Sequence, residues 1–140
     1  MKATVKQWIT AWLAVFAAWV LLDFVGHGLI FGSMYAALPG VWRPRAEIKV
    51  WLVYSGVLVT AAAFVAIYVV QIQSRGLIAG LAYGLLFGLA MGASLACGGY
   101  AVHPIQAELA LGWFVLAMIE YAIAGILVGS IIRRPKSTRV

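Results

Sequence analysis

The sequence predicts an all-α fold, a single-domain integral membrane four-helix bundle, and three observations carry that prediction. Mean hydropathy is +1.03. Hydrophobic residues make up 65% of the 140 positions and charged ones only 10%, whereas about a quarter of a soluble domain is charged. Four apolar runs, at about 8–31, 50–72, 76–97 and 107–132, are each long enough to cross a ~30 Å hydrocarbon core. What remains is short connections and tails, with no room for a soluble catalytic domain. Any function therefore resides in the helices or their connections.

The first run follows Lys2 and Lys6. It is longer than a signal-peptide core and has no small-residue cleavage site, so an uncleaved helix is expected. Trp8 and Trp12 suit an interfacial aromatic belt. Phe16, Trp19, Asp23, His27 and Ile30 fall on one helical stripe. Asp23 and His27, four residues apart, share a face one turn apart. An ionisable group in lipid costs roughly 2.5–3.5 kcal/mol by insertion scales, so this pair is expected to face a protein interior, a cavity or a partner.

The connection 32–49 carries Tyr35, the turn signal Pro39-Gly40, and Trp42-Arg43-Pro44-Arg45 ahead of Glu47 and Lys49. Pro44 pushes Arg43 toward extended backbone. The segment reads as an anchor at headgroup level or as a lid over the His27 end. The second run carries Trp51 and Tyr68 near its two ends as belt residues, and the brief Gln71-Ile72-Gln73-Ser74-Arg75 connection makes the second and third helices antiparallel neighbours.

The third run has the strongest repeat in the chain: Gly76, Gly80, Gly84, Gly88 and Gly92, spaced by four and continued by Ala96. Such a bare stripe, a glycine zipper, lets another helix backbone approach closely. Gly125 and Gly129 add a second small-residue stripe to the fourth run. Between these runs a loop over 98–106 is expected, with Tyr100, His103 and Pro104. Glu108 then sits in the first turn of the fourth helix, where a carboxylate suits the helix dipole, and Glu120 falls at its middle.

Seven basic residues (Lys2, Lys6, Arg75, Arg133, Arg134, Lys136, Arg139) fall on the side of the termini and three (Arg43, Arg45, Lys49) on the other. By the positive-inside rule both termini are cytoplasmic. At ~1.5 Å per residue, Asp23, His27 and Glu120 then share a layer in the outer half of the bundle. Tyr35, Arg43, Cys97, Tyr100 and His103 form a rim above it. No span contains an internal Lys or Arg, so two carboxylates beside one imidazole must be neutralised by a proton, a cation or a partner.

Three chemistries suit this layer. A proton or small cation could be relayed there. Asp23, Glu120 and a neutral His27 could hold a divalent metal, their donors suiting Zn, Fe or Mn. His27 and His103 could clamp a b-type haem. Structural glue between helices is the remaining reading of the layer.

Other classes are set aside. The net charge of +6 is spread over helix ends without interleaved aromatics, which argues against nucleic acid. Cys97 is the single cysteine, so it forms no internal disulfide, and its surroundings show no orienting group for nucleophilic catalysis.

Taken together, Asp23-x-x-x-His27-Gly28, Tyr35, Trp42-Arg43-Pro44, Glu47, the glycine-spaced third helix, Tyr100-Ala101-Val102-x-Pro104-Ile105, Trp113-Phe114, Glu120 and Ala124-Gly125 resemble a family of small four-span bacterial membrane proteins of unassigned function. The resemblance covers nearly the whole chain and implies the architecture and the bacterial inner (cytoplasmic) membrane. It implies no catalytic role.

The leading expectation is a non-enzymatic membrane protein whose acid and histidine layer binds a proton, cation or partner group. It would self-associate as a homo-oligomer or dock in a larger membrane complex. The alternatives are an accessory subunit and a metal- or haem-dependent membrane enzyme.

Overall fold

The computed structural model describes residues 3–72 and 76–132. Lys2, the Gln73-Ser74-Arg75 connection and the basic tail with Arg133, Arg134, Lys136 and Arg139 lie outside the described residues. The described chain is all-helical. Helix α1 (Val5–Asp23) runs on into a π-helical segment (Phe24–Ile30). A short α2 (Gly32–Ala36) and one 3-10 turn (Arg45–Glu47) precede the long helices α3 (Val50–Gln71), α4 (Leu77–Val102) and α5 (Ala107–Ile131). Four helical stretches, counting α1 with its π segment as one, are long and apolar enough to cross a membrane.

Each start has a local cause. Thr4 caps α1 in a reciprocal box: the Gln7 amide donates to Thr4 Oγ1 at 3.2 Å and the Thr4 amide donates to Gln7 Oε1 at 2.9 Å. The helix therefore begins three residues before the expected Trp8. Gln7 Nε2 also donates to the Ile131 carbonyl at 3.3 Å, serving one of the carbonyls that the end of α5 leaves free. At the start of α4 the Tyr68 hydroxyl donates to the Gly76 carbonyl and accepts from the Gly76 amide, both at 3.2 Å. Gly76 has φ +155°, which side-chain-bearing residues rarely adopt. Tyr68 is fully buried in this role, not a belt residue.

Helix α4 extends five residues beyond the expected end at Cys97, so most of the expected 98–106 loop is helical. Gly99 tolerates the helix because its bare Cα lies under the Trp113 ring. The His103 amide closes the last turn on the Gly99 carbonyl at 2.9 Å. Pro104 then stops it.

The closest backbone approach is between α4 and α5, which run antiparallel. A Cβ on Gly80 would stand 2.8 Å from Gly129 Cα. One on Gly84 would stand 3.1 Å from Gly125 Cα, and one on Gly92 3.1 Å from the Phe114 carbonyl oxygen. Helix α3 meets α4 in a different way, through rings. Phe64 and Tyr83 have centroids 4.5 Å apart, and the Tyr83 hydroxyl donates to the Phe64 carbonyl at 2.7 Å. Trp19 from α1 and Tyr121 from α5 complete this aromatic core.

Three polar side chains of α1 and α3 bond within their own helix or to a neighbouring one. Ser55 and Thr60 donate to carbonyls four residues back, at 2.7 and 2.9 Å. Trp12, expected in an aromatic belt, donates to the Leu58 carbonyl at 3.0 Å and packs on the core.

Candidate functional site

The π segment sets the site. The Phe31 amide donates to the Gly26 carbonyl five residues back, at 2.8 Å. An i→i+5 turn holds one more residue than the α-helical phase allows, and such turns recur at functional positions. Gly26 and Gly28 give the segment room, Gly26 by letting Leu116 of α5 press against its bare Cα. The extra residue shifts the inward face. Phe31 is buried, while Ile30, expected to continue the stripe, is 61% exposed.

His27 sits in the middle of this segment. Its Nε2 lies 3.8 Å from Asp23 Oδ1, an ion-pair distance too long for a hydrogen bond. Its Nδ1 lies 2.5 Å from the Tyr35 hydroxyl. Helix α2, folding straight back from Phe31, puts that hydroxyl there. On its other side Tyr35 Oη accepts from Trp113 Nε1 at 2.7 Å.

The polarity of this chain follows from donor chemistry. Indole N–H can only donate, so Tyr35 accepts from Trp113 and turns its own proton to His27 Nδ1. In the neutral imidazole Nδ1 is then the acceptor and the proton is on Nε2, facing Asp23. Burial pushes the Tyr35 phenol up to about 12; the Trp113 hydrogen bond opposes that shift, and the charge of Asp23 adds to it.

Asp23 leads on to α5. It faces Glu120 across the α1–α5 packing, close enough for the two carboxyl groups to act on each other's charge. Two carboxylates offer only acceptors and repel each other, so a proton on one of them relieves the pair. Glu120 Oε1 is buried without a hydrogen-bond partner. The Glu120 carbonyl is held by Trp19 Nε1, donating at 3.0 Å, which fixes the depth of α1 against α5. The result is one polar line through otherwise apolar packing: Glu120, Asp23, His27, Tyr35, Trp113.

Beyond Tyr35 the rim is aromatic. Trp42 lies between Tyr35 and His103, with ring centroids 5.3 and 5.8 Å away, and 5.9 Å from Trp113. Its Nε1 is buried without a partner. Of the expected rim residues, Tyr35 and His103 belong to this cluster. Arg43, Cys97 and Tyr100 are exposed and outside it, the last two because α4 continues through them as regular helix.

Two expected cofactor arrangements do not fit this geometry. Among the described residues no three His, Cys, Asp or Glu side chains are placed to hold a metal ion. Asp23, His27 and Glu120 therefore do not converge as a ligand set, and His27 Nδ1 is committed to Tyr35. The rings of Tyr35, Trp42 and Trp113 occupy the region between His27 and His103, so the two imidazoles cannot clamp a haem.

Sequence reasoning missed Trp113 and Trp42 as parts of the site. Trp113 is seven residues, about two turns, from Glu120 on α5, and its part in the site shows only once α2 brings Tyr35 to it. Comparisons with known proteins give no match: no family model, no curated protein and no solved structure is similar to this chain.

Proposed function

We propose that this is a non-enzymatic, multi-pass membrane protein in which the Asp23–Glu120 carboxyl pair binds a proton that His27 and Tyr35 connect to one end of a four-helix bundle. The observation that carries this reading is the approach of two carboxyl groups, Asp23 and Glu120, in the interior of spans whose one Lys or Arg, Lys6, lies at the far start of α1, so that a proton is the neutralising charge at hand. The unpartnered Glu120 Oε1 supports it, since a buried acceptor left unpaired costs about 1–3 kcal/mol and favours any state that supplies a donor. A proton taken up at Nδ1 would make His27 an imidazolium whose two N–H groups face the Tyr35 oxygen and Asp23.

The same proposal puts the protein in the bacterial inner membrane with both termini cytoplasmic, on the balance of basic residues, so that the Tyr35 and Trp113 end faces outward. Proton uptake by the purified protein in liposomes tests the reading. Asp23→Asn and Glu120→Gln should each abolish the uptake step and should couple non-additively. If both variants bind protons like the wild type while only their stability falls, the pair is interhelical glue and the protein is an accessory subunit.

A further inference from the structure

A second feature lies on the outside of the same two elements. The π segment and α5 enclose an open, apolar groove of about 410 Å³, walled by Ile30 and Phe31 on one side and by Leu111, Val115, Leu116 and Ile119 on the other. It exists because Gly112 has no side chain. A Cβ there would stand 2.8 Å from the tip of the Phe31 ring, so the ring can approach the α5 backbone at Gly112 beside the trough. From Glu108 at the mouth to Ile119 at the floor is eleven residues of α5, about 16 Å at ~1.5 Å per residue. That is about half of a ~30 Å hydrocarbon core, the depth of one leaflet.

Charges of both signs stand at or next to the groove. Glu108 lines it and makes no ion pair with any described residue. Arg45 comes from the 3-10 turn to Gly32, beside the lining residue Phe31. Its Nη2 would be 3.3 Å from a Cβ on Gly32, the residue that follows Phe31. Arg45 likewise makes no ion pair with any described residue.

We infer that this groove binds one phospholipid with a primary ammonium headgroup, its acyl chain along Gly112, its phosphate toward Arg45 and its ammonium toward Glu108. The trough supplies apolar area but cannot tell one acyl lipid from another. The two charges do. A guanidinium matches the phosphate that all phospholipids share. A carboxylate selects a headgroup carrying N–H donors, which a quaternary choline lacks and a glycerol headgroup does not offer as a cation. This inference does not rest on the Asp23–Glu120 pair, neither of which lines the groove.

The test uses the full chain in nanodiscs holding equal amounts of three phospholipids with identical acyl chains and ethanolamine, choline or glycerol headgroups. After transfer to mild detergent, native mass spectrometry reads the retained lipid. The wild type should keep one ethanolamine lipid per chain, preferred over the choline lipid on the order of tenfold, the scale of one charge-assisted hydrogen bond. Glu108→Gln should abolish that preference, and Arg45→Gln should lower retention of all three lipids alike. Val115→Trp, or Leu111→Trp where the first variant melts early, should fill the trough from its exposed wall and lose every retained lipid. Equal retention of the three headgroups by the wild type, preference for the glycerol lipid, or undiminished retention in a folded tryptophan variant would overturn the inference.

Discussion

Tyr35 is the residue on which the polarity of the site depends, because its single hydroxyl accepts from Trp113 and donates to His27. Replacing it with Phe keeps the ring between His27, Trp42 and Trp113 but leaves one indole N–H and one imidazole nitrogen unpaired. The expected cost is about 1–3 kcal/mol, read as a lower thermal midpoint in detergent. Tyr35 also predicts a pH dependence. Its phenol is at about 12 in the folded chain against an ordinary value of 10.0. Below 10.0 both folded and unfolded chains keep the proton, so stability is unaffected. Between 10.0 and about 12 the unfolded chain releases the proton first, so stability falls as pH rises. Thermal midpoints measured across that window should fall more steeply in the wild type than in Tyr35→Phe.

At the scale of elements, two features decide how the site is presented: the π segment and the α4–α5 contact. The glycine spacing in α4 and the Gly125 and Gly129 stripe in α5 were both visible in the sequence, but not that the two face each other with the Tyr121 backbone completing the contact. Gly84→Ala would drive a methyl into the Tyr121 carbonyl, a backbone group that cannot rotate away, and should destabilise by about 1–3 kcal/mol. Gly56 in α3 and Gly98 in α4 have no atom within 4 Å of where a Cβ would be. Gly56→Ala and Gly98→Ala should instead stabilise by up to about 1 kcal/mol through helix propensity alone. Thermal unfolding of the three variants separates a packed glycine from an idle one. The π segment was not legible at all. Its cause is a mismatch between Gly26 under Leu116 and Phe31 on Gly112, two contacts to α5 that an α-helical phase cannot make together.

On the scale of the whole molecule, hydropathy made the all-helical class and four long apolar helices readable, since each run carries its own signal. The acid and histidine residues were readable for the same reason, being polar exceptions in apolar sequence. Tyr35 was readable only as part of a rim above them, and Trp42 and Trp113 look like ordinary interfacial aromatics until the fold returns α2 and the 32–49 connection onto α5. Topology is tested by reporters fused at Val140 and in the Arg75 connection, which the proposal expects on one side of the membrane; opposite sides would require an odd number of spans between them. The most direct measurement of the central claim is an infrared titration of the protein in liposomes, reading the C=O stretch of protonated carboxyl groups. A protonated-carboxyl band present near neutral pH in the wild type and lost in the Asp23→Asn, Glu120→Gln double variant is the expected result. Absence of that band in the wild type, or its survival in the double variant, would contradict a proton held between Asp23 and Glu120.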